Sequence, residues 1–329
     1  MIKLLKYIKP AIFLALGLFL LFISFRGIDW EEFKEALHDI PLRWALLSML
    51  FGYLAYVFRA LRWHLLIQPL GTQMRTIDLV HAIAFGYLFN SIIPRSGEIV
   101  RCTALNKVTG IPVSKLFGHV ILERLIDFIL LASCAGLALF FNYKDFLDFI
   151  GLFSLSASNI LMYGVIFLGV LLIIYISIKY FSSLEKLHRI KQFLIGVKEG
   201  FLAIKNIPQK TIFLIYTLLI WACYLFMTAV CFYCFAETAD FNIGHGLFIL
   251  VAGGLGMVIP TPTGIGSYHY LVIQALMIIN ISREVAQFFA IIVHTSQAIM
   301  IIIAGLVGMT LLYQKKKEDT INQYGKIES

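Results

Sequence analysis

Charge is scarce in this chain. Only 14% of its 329 residues are Asp, Glu, Lys or Arg, while 60% are hydrophobic and the mean hydropathy is +0.87. A soluble domain runs nearer 25% charged and 45–50% apolar. Surface scaling leaves too much of this apolar excess facing solvent for one water-soluble core to hold it. The solvent for most of the chain is therefore lipid. At roughly 20 residues per crossing, the length allows about six to eight spans and no large soluble catalytic domain.

Catalytic motifs are missing as well. The sequence has no His-Glu-x-x-His, no Walker lysine loop, no Gly-x-Ser-x-Gly and no Asp-x-Asp. Zinc proteolysis, ATP-driven pumping, serine hydrolysis and metal-dependent glycosyl transfer thus lack support. Ser267 and His269 are two residues apart and would not face each other on a helix. Of the five cysteines, Cys231 and Cys234 form a C-x-x-C, but inside an apolar run with no second pair. They read as small packing residues. No cofactor, no metal and no enzymatic activity are expected. The net charge of +8 is spread over short loops between apolar runs. That is the cytoplasmic bias of membrane proteins rather than a nucleic-acid patch.

What is present is a series of membrane-length runs: Pro10–Phe25, Leu42–Phe58, Leu116–Phe141, Ile160–Ile178, Ile212–Phe235 and Val285–Tyr313. The first follows Lys3, Lys6 and Lys9 and lacks a small-x-small cleavage site before Arg26, so it reads as a retained span. Two further stretches are interrupted: Asp78–Leu105 at Ile93–Glu98, and Phe248–Ile279 at Ile259–Gly266. Their arms are short for full crossings.

Charge assigns the sides. The segment Lys179–Lys210 holds seven Lys/Arg against two acids, and the tail carries Lys315, Lys316 and Lys317. Both read as cytoplasmic, as does the N-terminus. Arg26–Arg43 holds five acids against three bases and reads as external. Counting crossings then makes each interrupted stretch a re-entrant hairpin, one entering from the cytoplasm and one from outside.

The expected architecture is an all-α integral membrane protein, with about six full transmembrane helices plus two re-entrant broken hairpins. A first half, 1–150 with hairpin 78–105, precedes an inverted second half, 151–313 with hairpin 248–279, and a cytoplasmic tail, 314–329. Amphipathic helices are expected on the faces Trp30, Phe33, Leu37, Ile40 and Leu184, Leu187, Ile190, Phe193/Leu194, Val197, Phe201. Inverted halves with Gly/Pro-broken segments in matching places point to a transporter-type site at mid-membrane.

The polar residues of these segments are few and grouped. Arg95, Glu98 and Arg101 follow Pro94 at i, i+3, i+6, near one helical face. Glu123, Arg124 and Asp127 lie within the third full span, with Glu123 and Asp127 one turn apart. Charges at membrane depth are costly unless paired or hydrated. An ion-pair network between hairpin and span, lining a polar groove, is the economical arrangement. Arg59, Arg62 and Trp63 follow the second run, where snorkelling and an aromatic belt account for them. Arg62 is carried forward as a substrate contact. In the second hairpin, Pro260, Gly264, Gly266 and His269 offer exposed backbone and helix starts, and His294 reads as a satisfied histidine within the last span.

Asn90–Arg101, Glu123–Asp127 and Pro260–Gly266, with Arg59–Trp63 upstream, resemble the motifs of the lysylphosphatidylglycerol synthase transmembrane region, the flippase-like UPF0104 family. The resemblance covers nearly the whole chain. It implies an integral membrane domain that moves a lipid or lipid-linked substrate between leaflets of the cytoplasmic membrane, with both termini cytoplasmic. In bifunctional members a soluble aminoacyltransferase domain follows; none is present in this sequence, so lipid lysylation is not expected. One departure is His269, where the family often has a glutamate. Membrane lipids are the expected partners, together with a homo-oligomer or an envelope-synthesis enzyme. Arg95 and Arg101 would meet an anionic phosphate, with Glu98, Glu123 and Asp127 orienting those arginines or carrying a proton. Two rivals stay open: a membrane-embedded enzyme on lipid-linked substrates, and a non-catalytic assembly partner of an envelope synthase.

Overall fold

The computed structural model describes residues 2–70, 75–153, 185–207 and 209–325. Among the described residues there are helices and 3-10 turns and no strand. The helices are α1 (Ile2–Phe25), α2 (Trp30–Asp39), α3 (Arg43–Ile67), α4 (Thr76–Ile92), α5 (Gly97–Thr109) and α6 (Val113–Phe141). They continue as α7 (Tyr143–Gly151), α8 (Glu185–Leu202), α9 (Lys210–Ala229), α10 (Ile243–Val258), α11 (Ser267–Ile278) and α12 (Arg283–Gly325).

Among the described residues, four helices are long and apolar enough to cross a membrane: Arg43–Ile67, Val113–Phe141, Lys210–Cys234 and Arg283–Gln314. A fifth is possible if Ile12–Phe25 and Trp30–His38, bent by 80°, count as one span. Four of the six expected runs fall on these helices and Pro10–Phe25 falls on α1. Ile160–Ile178 and the side chains of Leu184, Leu187 and Ile190 lie outside the described residues.

The second run is longer than its apolar stretch. It was expected to end at Phe58, but α3 continues to Ile67, and Arg59 and Arg62 lie within the helix rather than beyond it. At 1.5 Å per residue the 25-residue helix is about 37 Å long. Its polar turn stays helical because Ala60, Trp63 and Leu66 are fully buried beside the two arginines. Hydropathy registers the arginines and not the packing around them.

Each break has local causes. The α4–α5 turn bends at Arg95, whose φ is +64°. The Asn90 side-chain oxygen accepts the Gly97 N–H at 2.7 Å, and Ser96 Oγ donates to the Ile93 carbonyl at 2.8 Å. The two arms can then close because Gly86 faces Gly97: a Cβ on Gly97 would fall on the Gly86 carbonyl. The α10–α11 turn runs through Pro262–Gly264, with Thr263 at φ +50° and Gly266 at +81°. Gly256 faces Ser267 and Tyr268 there, and Ser267 Oγ donates to the Gly256 carbonyl at 2.8 Å.

Tertiary packing crosses the chain. The first broken pair lies against α3, α6 and the last long helix α12, while the second lies against α6 and α12. Along α3, Ser48 Oγ donates to the Met227 carbonyl at 2.7 Å and takes a hydrogen bond from Gln297 at 2.8 Å, tying α3 to α9 and α12. One apolar cluster is built on α10, α11, α12 and the 230–234 turn, and another on α3, α4, α5, α6 and α9. Helix α2 starts at Asp29, whose carboxylate accepts the Glu31 and Glu32 N–H groups. Its Phe33 packs on Phe288 of α12 at 4.9 Å, while Trp30 is exposed. On α8 the described part of the expected face is partly open: Val197 and Phe201 are half-buried. Phe193 and Leu194 are exposed, and Gly196 and Gly200 are buried against Ser114, Lys115 and Gly118 of α6. Small residues let the two backbones touch, a contact that apolar spacing does not reveal.

Candidate functional site

Where α3, α5, α6 and α9 converge, a cluster of ionised side chains sits among apolar neighbours. Glu123 of α6 is fully buried, and its Oε2 accepts from Arg101 Nη2 of α5 at 2.7 Å. Arg101 also lies over the Trp63 ring at 4.7 Å. One turn along α6, Asp127 takes both arginines of α3: Arg59 Nη2 at 2.7 Å and Arg62 Nη2 at 3.2 Å. Arg59 Nε donates to the Tyr224 hydroxyl of α9 at 2.8 Å, and its Nη1 is 3.8 Å from Glu123. Arg62 Nη1 reaches Thr217 Oγ1 at 3.5 Å.

Arg124 is the outermost member, with 40% of its side chain exposed, and it makes only long ion pairs: 3.7 Å to Glu98 and 3.7 Å to Asp127. Its Nε and the Glu98 Oε2 have no hydrogen-bond partner. Four guanidiniums (Arg59, Arg62, Arg101, Arg124) thus face three carboxylates (Glu98, Glu123, Asp127). One positive charge is left over. Further unsatisfied atoms lie buried in the same region: Arg59 Nη1, Arg62 Nε, Glu123 Oε1 and Trp63 Nε1. Buried polar groups are nearly always satisfied, so such a group of orphans marks a place where water or a ligand completes the set. A cleft of about 10 Å³ opens between α4, α5 and α6, lined by Tyr87, Asn90, Glu98, Arg101 and Arg124. That is space for about one water molecule.

Arg95 stands apart. It is exposed and does not reach Glu98, Glu123 or Asp127; its Nη2 donates to the Val258 carbonyl at 2.7 Å and the Met257 carbonyl at 3.4 Å. The guanidinium thus occupies the carbonyl end of α10, where a cation suits both the free acceptors and the helix dipole. The expectation that acids orient Arg95 is corrected: only Arg101 pairs with one of them, because the positive φ at Arg95 turns its side chain across to the second hairpin.

The second hairpin builds a different environment. His269 is buried with its Nδ1 accepting the Gly266 N–H at 3.3 Å, so it braces the turn from within. His294 of α12 donates from Nε2 to the Thr263 carbonyl at 3.1 Å, and the two imidazoles stand 4.5 Å apart. Pro260 is half-buried at the break, Gly264 has φ +78°, and Gly266 is packed so closely on Gly17 of α1 that a Cβ there would meet its carbonyl. The residues singled out in the two hairpins therefore form two separate groups, bridged by Arg95. Among the described residues, no three His, Cys, Asp or Glu gather as a metal site.

The sequence reading understated Arg59 and missed Tyr224 and Thr217. The signal for the arginines was their spacing. Arg59 and Arg62 at i, i+3 match Glu123 and Asp127 at i, i+4, each pair facing one direction on its helix. No comparable pattern marks a lone Tyr or Thr in an apolar run.

Comparison with known proteins adds a family. The family model described as "Lysylphosphatidylglycerol synthase TM region" matches residues 8–305. A UPF0104 membrane protein of Methanocaldococcus jannaschii is 22% identical over 333 aligned residues, spanning 93% of this chain and 96% of that protein. Another UPF0104 membrane protein of the same organism is 25% identical over 206 residues, spanning 62% of this chain and 84% of its own length. No solved structure matches the chain.

Proposed function

From the premise that the chain belongs to the lysylphosphatidylglycerol synthase TM region family, we propose that it carries an anionic phospholipid or lipid-linked substrate between the leaflets of the cytoplasmic membrane. The observation that carries this reading is the uncompensated guanidinium charge beside the first hairpin. Three carboxylates leave one of four arginines without a counter-charge, and the most exposed, Arg124, has only long ion pairs. A phosphate diester supplies the missing charge and the bidentate acceptors that guanidinium favours.

The cleft at about 10 Å³ is too small for a head group. The structure thus represents a closed conformation in this reading, and transport requires α5 to part from α6. Alongside, a cleft of about 290 Å³ lies between α3, α4 and α12, lined chiefly by Met49, Tyr53, Val80, Ala84, Met300 and Val307. It suits an acyl chain while the head group occupies the polar side of α4.

The two halves are read as inverted repeats, with about six full spans, two re-entrant hairpins and cytoplasmic termini. Packing is consistent with this: each hairpin rests on both α6 and α12. So is the non-glycine residue at positive φ in each tip, Arg95 and Thr263. The reading is transport rather than chemistry, with membrane lipid as the partner.

Leaflet exchange of labelled phospholipids in proteoliposomes tests it, comparing the parent chain with Arg101→Ala and Glu123→Gln. Exchange is expected for the parent and lost in folded variants. Chemically altered lipid without exchange would replace transport by enzymology. Neither exchange nor chemistry, in vesicles spanning anionic and zwitterionic lipids, would favour an assembly role.

A further inference from the structure

We propose that His294 is a proton-binding site whose occupancy sets the position of the second hairpin's tip. The first hairpin is held in part by ion pairs; the tip of the second is braced by two imidazoles and by Ser267, which donates to the Gly256 carbonyl, while its one charged contact is Arg95 at the end of α10. His269 and His294 reach the tip residues Gly266 and Thr263 through backbone groups only.

The hydrogen bonds fix what each ring can do. A carbonyl only accepts, so His294 Nε2 carries the hydrogen in its contact with Thr263. An amide N–H only donates, so His269 Nδ1 presents its lone pair to Gly266 and its hydrogen sits on Nε2. A proton added to His269 at Nδ1 would set N–H against N–H and release the start of α11. A proton added to His294 at Nδ1 breaks nothing, because that atom makes no hydrogen bond among the described residues. It also converts the Thr263 contact into a charge-assisted bond, which is the stronger kind. With the rings 4.5 Å apart, two charged imidazoles would repel each other, so the pair holds at most one proton.

The surroundings leave the matter to these groups. Tyr268 of α11 approaches His294 at 5.4 Å between ring centroids, and Phe25 of α1 meets His269 edge-on at 5.1 Å. The tip itself presents the Thr263 carbonyl, and α12 contributes Ser296, whose hydroxyl is turned to its own backbone. No Asp, Glu, Lys or Arg among the described residues forms a hydrogen bond or ion pair with either ring. Because α1, α4, α10 and α11 meet at this tip and Arg95 also ties it to the first hairpin, a proton held here bears on both hairpins. Its use as a coupling ion rests on the transport reading above; the proton site does not.

A nitroxide attached at Thr263→Cys in nanodiscs reads the tip directly, since its mobility has no pH dependence of its own. Leu214→Cys, exposed on α9, serves as the control position, and labelling the parent chain controls for the five buried cysteines. One mobility step is expected as the pH is lowered from 9 to 4, with the tip tighter on the acid side. His294→Gln keeps an N–H donor for Thr263 and should abolish the step. His269→Asn keeps an acceptor for Gly266 and should retain it. No step in the parent, a step surviving in His294→Gln, or a step lost only in His269→Asn would overturn the proposal. Lipid exchange measured on the same samples decides the transport reading separately: a step without exchange overturns transport and leaves the proton site standing.

Discussion

Replacing Glu123 by Gln removes one negative charge and almost no volume, which makes it the sharpest probe of the buried cluster. Glu123 is fully buried, accepts from Arg101 at 2.7 Å and lies 3.8 Å from Arg59. Its loss takes the local balance from one excess positive charge to two at a fully buried position. Removing one partner of a buried ion pair costs about 3–5 kcal/mol, whereas replacing both is often near neutral. The amide oxygen can still accept from Arg101, so the lower end applies. About 3 kcal/mol corresponds to roughly a 150-fold loss in the folding equilibrium. Arg101→Met placed on the Glu123→Gln background removes the stranded cation while leaving a side chain to fill the space beside Trp63. It should restore most of the loss, leaving about 1 kcal/mol, so that with about 3 kcal/mol for each single replacement the coupling in a double-mutant cycle is about 5 kcal/mol. Arg101→Met alone should cost as much as Glu123→Gln or more, because it also surrenders the contact over Trp63 at 4.7 Å. Equilibrium unfolding in mixed detergent micelles reads all four corners. Additive single effects, or a Glu123→Gln protein as stable as the parent, would refute the view that the cluster is a closed electrostatic unit.

Two other expectations follow from the hairpins. Gly97→Ala places a methyl on the Gly86 carbonyl, so α4 and α5 must separate; a loss of about 1–3 kcal/mol is expected, as for other overpacked contacts, measured by the same unfolding assay. Arg95→Gln removes the guanidinium from the Val258 and Met257 carbonyls at an exposed position. Helix-end charges of this kind contribute about 0.3–1 kcal/mol, so stability should barely change, while the label at position 263 should become more mobile at every pH. An immobile tip in Arg95→Gln would show that the contact does not couple the hairpins.

Hydropathy made the long helices legible because lipid imposes a length and a composition on anything that crosses it. Four expected runs therefore land on α3, α6, α9 and α12 and match their starts to within a few residues, while the ends differ at Ile67 of α3, Ala229 of α9 and Gly325 of α12. At the end of α3 the arginines stopped the hydropathy signal, though Ala60, Trp63 and Leu66 carry the helix through. The breaks at Pro94 and Pro260 were visible from proline and glycine. What crosses them was not: the Arg95 contact depends on a positive φ that sequence does not display. The pairing of Glu123 with Arg101 follows from the cost of isolated charge, so it could be anticipated. The transfer of Asp127 to Arg59 and Arg62 could not, because it depends on which face of α3 meets α6.

The distances along the chain within that cluster bear on how the protein is made. Arg59 precedes Asp127 by 68 residues and Tyr224 by 165. When α3 leaves the ribosome it carries two guanidiniums whose counter-charges have not yet been synthesised, and a segment in that state resists entry into lipid. Its lasting insertion therefore waits for α6 to arrive with Glu123 and Asp127. For this chain, then, topogenesis and assembly of the polar site are one event, and a nascent chain arrested before residue 113 should hold α3 at the translocon or the membrane surface.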